Sequence, residues 1–117
     1  MPSYSAPVRD YQFLLHEVLD VSRYNNLPGF SELDNETLDA ILEEGGKFAA
    51  EVLAPLNRTG DLQGCTRHDD GSVTTPDGFK DAYKQFAESG WMGLGQDPEY
   101  GGQGLPHVLS LAVAEMT

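Results

Sequence analysis

Apolar residues recur at helical spacing in four stretches of this chain, with turn formers between them. In the first, Tyr11, Leu14, Leu15, Val18 and Leu19 stand at i, i+3, i+4, i+7 and i+8, a single amphipathic stripe that Asp10 is placed to cap. Asn25-Asn26-Leu27-Pro28-Gly29 breaks it, because proline disfavours helix in the residue before it and glycine accepts turn dihedrals. The second stripe runs Leu38, Ile41, Leu42, Gly45, Ala49, Val52, Leu53. Its start is well marked: Asp34 as N-cap, Leu33 and Leu38 as a hydrophobic staple, and Glu36 and Asp39 where the helix dipole favours negative charge. Gly45-Gly46 inside this helix costs about 1 kcal/mol per residue relative to alanine, so close approach of another backbone is expected to compensate. Pro55 is expected to end or kink the helix, and 57–64 reads as loop.

The segment from Cys65 to Thr75 contains Asp70-Gly71 between short runs of β-formers, which predicts a small hairpin. A third helix is predicted to open with Thr75 as N-cap and Pro76 at its first position. Its stripe is Phe79, Ala82, Tyr83, Phe86, Ala87; Gly90 is placed to terminate it, with Trp91 packing back. Residues 93–106 hold five glycines and two prolines, too many for regular structure, and predict an irregular but packed loop. Pro106 opens a fourth helix whose Leu109, Leu111, Ala112, Val113 and Met116 are apolar on several sides, as in a buried helix. No stop signal precedes Thr117, so this helix reads as cut rather than finished.

The expected fold is therefore mainly α, and 117 residues suffice for one modest core. Charge narrows the possible partners. Seven Lys plus Arg against nineteen Asp plus Glu give a net charge of -12, which repels phosphate backbones and makes nucleic acid an unsuitable partner. The acids between Glu32 and Glu51 interleave with the apolar stripe and form a solvated helix face. No run approaches the roughly 20 apolar residues of a membrane span, and the first residues lack a basic segment followed by an apolar one. Cys65 stands alone, so no internal disulfide forms; a soluble, cytoplasmic protein is the expectation.

Candidate chemistry is sparse. Cys65 and His68 have the spacing of half a zinc site, but no second pair completes four ligands. Asp69-Asp70-Gly71 lacks the flanking acids of a calcium loop. Gly93, Gly95, Gly101, Gly102 and Gly104 raise a phosphate cradle, yet the spacing fits neither dinucleotide nor Walker fingerprints, and close loop packing is the simpler reading. No Gly-x-Ser-x-Gly elbow marks a nucleophile. Glu115 is an isolated acid on an apolar helix, where burial would raise its pKa. On these residues alone the chain is an acidic helical domain with a glycine-rich loop and no predicted metal.

Three segments together resemble the N-terminal helical domain of the acyl-CoA dehydrogenase family: 75–83 (TPDGFKDAY), 90–94 (GWMGL) and 98–106 (PEYGGQGLP), the last being the most specific. Residues 4–10 (YSAPVRD) and 13–20 (FLLHEVLD) further resemble an extension found in the 3-methylmercaptopropionyl-CoA dehydrogenase subgroup. The resemblance implies two parts: residues 1–30 as an extension with one helix, and 31–117 as the N-terminal α-domain, truncated within its last helix. It also implies a parent enzyme that removes the α-proton of an acyl-CoA by a carboxylate base while a β-hydride passes to FAD, with electrons continuing to an electron-transfer flavoprotein. A homo-oligomer in fatty acid metabolism is implied in the same way. The family's base and main flavin contacts correspond to positions past Thr117, so the 117 residues are expected to be inactive alone and to hold no FAD. The family helix after the glycine loop helps wall the acyl pocket, which makes Ala112, Glu115 and Met116 the implied pocket residues; ordinary helix packing is the competing reading for Ala112 and Met116. A different class of function fits the same composition: an acidic helical interaction module with no chemistry. Its acyl-carrier version would need an Asp-Ser-Leu at a helix start, which Ser22 and Ser31 lack.

Overall fold

The computed structural model describes residues 3–117. Pro7, with its fixed φ and no N–H to satisfy, starts helix α1 (Val8–Phe13) three residues earlier than expected. Asp10 is thus inside the first turn, its N–H donating to the Pro7 carbonyl at 3.1 Å, and it caps nothing. The helix continues as a π turn over Leu14–Val18, closed by Leu19 N–H to the Leu14 carbonyl at 2.8 Å, and buries Leu15. Asp20, at φ 47, ends it. A 3₁₀ turn at Val21–Tyr24 leads on, and a Cβ at Gly29 would stand 2.8 Å from the Gly104 carbonyl, where this N-terminal arm meets the glycine-rich loop.

Helix α2 (Asn35–Phe48) begins as its sequence dictates: an Asp34 side-chain oxygen accepts from the Thr37 N–H at 2.7 Å. The Thr37 side chain first, and this N–H second, hold the Asp34 carboxyl below its ordinary 3.8. The glycine pair is compensated by side chains rather than by another backbone. A Cβ on Gly45 would touch Met116, Val113 and Trp91 at 3.5–3.6 Å, and one on Gly46 would overlap Val8 Cγ2 at 2.7 Å.

Pro55 does not end the helix. Ala49–Leu53 forms a second π turn, in which Ala54 N–H reaches back five residues to the Ala49 carbonyl, and helix α3 (Ala54–Gln63) follows with the proline in its first turn. The widened turn absorbs both the absent proline N–H and its ring, so the stretch expected as loop from 57 is helical to Gln63. Within that helix, a Cβ at Gly60 would sit 2.6 Å from the Phe79 ring, so the ring packs where only glycine leaves room.

Strands β1 (Thr66–Arg67) and β2 (Val73–Thr74) pair antiparallel with Thr66 opposite Thr74, around a turn with Gly71 at φ 86. The Asp70 carboxylate accepts from the Ser72 N–H and hydroxyl at 2.9 and 2.6 Å, which holds its pKa down. Helix α4 (Phe79–Glu88) has Gly78 as its N-cap, three residues later than sequence signals suggest. Gln63 explains the delay. Its carboxamide accepts from the Asp77 N–H at 2.8 Å and donates to the Asp77 carboxylate at 3.1 Å, holding 75–77 in a turn that Gly78, at φ 84, completes. Gly90 terminates α4 at φ 80 as expected, and Trp91 packs against the core beside Phe48.

Helix α5 (His107–Met116) lies against α2. Leu38 and Leu42 from α2 and Leu109, Ala112, Val113 and Met116 from α5 form the core with Leu15, Val21, Ala49 and Leu94. Leu111 is 56 % exposed, so α5 is buried on one side rather than all round. The molecule measures 56 × 38 × 16 Å with a radius of gyration of 16.9 Å, against about 13 Å for a compact chain of this length. A slab 16 Å thick is about one and a half helix diameters deep. Helices in such a slab keep an uncovered face, and so Phe79 and Tyr83 of the α4 stripe remain 37 % and 63 % exposed.

Candidate functional site

The second π turn helps shape a surface cleft. This cleft of about 870 Å³ is lined by Ser3 and Tyr4 of the arm, Ala49 and Leu53 of the π turn, Ala54, Asn57, Arg58 and Asp61 of α3, and Met116 and Thr117. Its volume lies within the roughly 300–1,000 Å³ of small-molecule sites. Ala49, Leu53, Ala54 and Met116 supply apolar surface, while Asn57, Arg58 and Asp61 add polar groups one to two turns along α3. Leu53 and Thr117 also line a second, more apolar depression of about 410 Å³, with Leu56, Phe79, Ala82, Tyr83 and Phe86.

Of the three residues singled out on α5, only Met116 reaches the cleft, and its side chain is otherwise buried. Ala112, 6 % exposed, packs in the core. Glu115 is exposed and faces the arm, where Tyr11 hydrogen-bonds to it. Burial, that hydrogen bond and the Glu115 charge push the Tyr11 hydroxyl up to about 12, because each disfavours the phenolate. Helical periodicity explains the division: positions 112, 113 and 116 share the face on α2, and 115 lies about a quarter turn away.

Ser3, Tyr4 and the α3 polar residues carry no mark in the sequence that assigns them to a site. The available signal is Pro55, since a proline directly after a helical stripe can mark a widened turn as well as an end.

The arm is fastened by hydrogen bonds. Tyr4 donates to the Met116 carbonyl at 2.9 Å, His16 Nε2 contacts the Asp39 carboxylate at 2.6 Å, and Gln12 donates to Glu43 at 3.4 Å. His16 Nδ1 is buried with no hydrogen-bond partner.

The glycine-rich loop does not offer the open amides of a phosphate cradle. Gly102, Gln103, Gly104 and Leu105 N–H groups all donate inside the chain, to the carbonyls of Asp97, Gly93, Gln96 and Leu94 at 2.9–3.1 Å. Those four amides are therefore not available to bind an anion. In the hairpin, His68 Nε2 is engaged by the Thr74 hydroxyl at 2.6 Å. Among the described residues no group of three or more His, Cys, Asp or Glu is arranged to hold a metal ion.

Residues 35–117 match the family described as "Acyl-CoA dehydrogenase, N-terminal domain". The chain is 40 % identical over 114 residues to a 3-methylmercaptopropionyl-CoA dehydrogenase of Ruegeria pomeroyi, covering 97 % of this chain and 19 % of that protein. It is 31 % identical over 119 residues to a broad-specificity linear acyl-CoA dehydrogenase of Mycobacterium tuberculosis, covering 98 % and 19 %. A butyryl-CoA dehydrogenase of Syntrophomonas wolfei is 31 % identical over 91 residues, covering 75 % and 15 %. The chain thus spans about a fifth or less of the length of these relatives.

Proposed function

This chain belongs to the acyl-CoA dehydrogenase family, and from that premise we propose that it forms the N-terminal helical domain of a flavin-dependent enzyme that desaturates an acyl-CoA thioester between Cα and Cβ. The observation that carries the reading is the family match through 35–117, which ends on the helix whose last turn lines the cleft. In this reading residues 1–30 are an extension and 31–117 the domain proper, in keeping with a match that begins at the first residue of α2.

The cleft's apolar lining suits an alkyl chain and its polar residues suit a thioester or amide. Met116 is then a wall residue, Ala112 backs it from the core, and Glu115 borders the wall on the arm side. Relatives named for 3-methylmercaptopropionyl-, butyryl- and linear acyl-CoA support an unbranched acyl group. The family resemblance assigns FAD and the catalytic base to other parts of the parent, and the internally bonded amides of Gly102, Gln103, Gly104 and Leu105 are consistent with that. Electron-transfer flavoprotein as acceptor, a homo-oligomeric parent and a cytoplasmic location complete the proposal. No helix among the described residues is long and apolar enough to cross a membrane.

The test is made on the full-length parent. It is expected to be yellow and to lose flavin absorbance when an unbranched acyl-CoA is added without oxygen. A colourless parent that FAD does not reconstitute, or a flavin that no acyl-CoA bleaches, would refute the assignment.

A further inference from the structure

The arm lies outside residues 35–117, yet it supplies part of the cleft. Three observations place Tyr4 there. Its hydroxyl donates to the Met116 carbonyl at 2.9 Å, across 112 residues of sequence. Two and four residues further on, Ala6 Cβ and Val8 Cγ2 lie 3.0 and 2.7 Å from where a Cβ on Gly46 would stand, so the arm is seated against bare α2 backbone. The Tyr4 residue itself is 41 % exposed and lines the cleft beside Ser3 and Thr117. A large aromatic ring is therefore held at a fixed place on the wall, anchored at its hydroxyl end to α5 and through its backbone to the arm.

We propose that Tyr4 is a specificity-determining residue of this cleft, its ring limiting the length of acyl chain that fits and its hydroxyl fixing the ring to the Met116 carbonyl of α5. This role rests on the acyl-CoA reading given above. Shape is the discriminating quantity: one methylene too many against a wall, or one missing from a snug site, changes selectivity about 10–200-fold.

The experiment measures kcat and KM of the full-length parent for a series of unbranched acyl-CoA thioesters of increasing length, with Tyr4→Ala, Tyr4→Trp and Tyr4→Phe variants. Tyr4→Ala opens the wall and is expected to shift the ratio of kcat/KM for longer against shorter chains at least about tenfold toward longer ones, mostly through KM. Tyr4→Trp fills the same space and shifts the ratio the other way. Tyr4→Phe keeps the ring and shifts it less than Tyr4→Ala. If Tyr4→Ala does not fold, Tyr4→Trp carries the comparison. Active Tyr4→Ala and Tyr4→Trp enzymes with the wild-type length profile would overturn the role of Tyr4 while leaving the proposed function standing, even where Tm falls. A wild-type parent that turns over no acyl-CoA would overturn the function and this role together.

Discussion

Gly45 and Gly46 are adjacent in one helix and have the same intrinsic cost, but alanine should act oppositely at the two positions. At either site the change gains about 1 kcal/mol of helix propensity. At Gly45 the new methyl meets Met116 Cε, Val113 Cγ2 and Trp91 Cζ3 at 3.5–3.6 Å, ordinary contact distances, and two of these atoms are ends of side chains. Gly45→Ala should therefore stabilise by up to about 1 kcal/mol. At Gly46 the methyl overlaps Val8 Cγ2 at 2.7 Å and Ala6 Cβ at 3.0 Å. Neither neighbour has a long side chain to swing aside, and Val8 is β-branched with one favoured rotamer, so the arm must lift. Overpacking costs about 1–3 kcal/mol, which exceeds or cancels the propensity gain and leaves Gly46→Ala about 0–2 kcal/mol less stable. Urea unfolding of the two variants measures this directly. Limited proteolysis adds a local reading, since only Gly46→Ala should speed cleavage within the arm. Equal changes of the same sign at both positions would refute the reasoning, because propensity alone would then decide.

The Asp34 carboxyl is held below its ordinary 3.8, so its contribution is present above that pH and is lost as pH falls through the folded value. Asparagine also caps helices but does not titrate; Asp34→Asn should leave Tm near neutrality almost unchanged and flatten its decline in acid. Tyr11 is raised from 10.0 to about 12, so its contribution is complete below pH 10.0 and disappears as pH rises to about 12. Tyr11→Phe should remove that alkaline loss, seen in Tm, and the late phenolate step, seen in near-ultraviolet absorbance. A Cβ at Gly102 would overlap the Gln96 carbonyl, which is backbone and cannot rotate away; Gly102→Ala should cost about 2–3 kcal/mol by thermal unfolding. The side chains of His16 and Asp39 are 21 % and 37 % exposed, so a double-mutant cycle should give a coupling no larger than about 1 kcal/mol.

Features set by a few neighbouring atoms are legible in the sequence. The Asp34 cap, the Asp70-Gly71 hairpin and the Gly90 terminator each depend on residues within a turn of themselves, and each is present. Features decided by distant partners are not. Gln63 delays α4 from fourteen residues away, and a π turn lets α3 continue through Pro55. The α4 stripe is visibly apolar, but periodicity says which face seeks cover and not whether the chain provides it. The same limit applies to the site. Only the family resemblance of α5 points to Met116, and its role as a wall is a proposal, whereas Ser3, Tyr4, Asn57, Arg58 and Asp61 join the cleft only through tertiary contact.

The π turn at Ala49–Leu53 holds one residue more than an α-helical turn would. Each residue advances a helix by about 100°, so this surplus sets the angular phase of everything in α3. Excising a single residue there would leave α2 and its cap untouched while rotating Asn57, Arg58 and Asp61 by roughly a quarter turn. The polar side of the cleft is thus indexed by a count of residues, and a one-codon deletion would rewrite it more thoroughly than any point substitution within it.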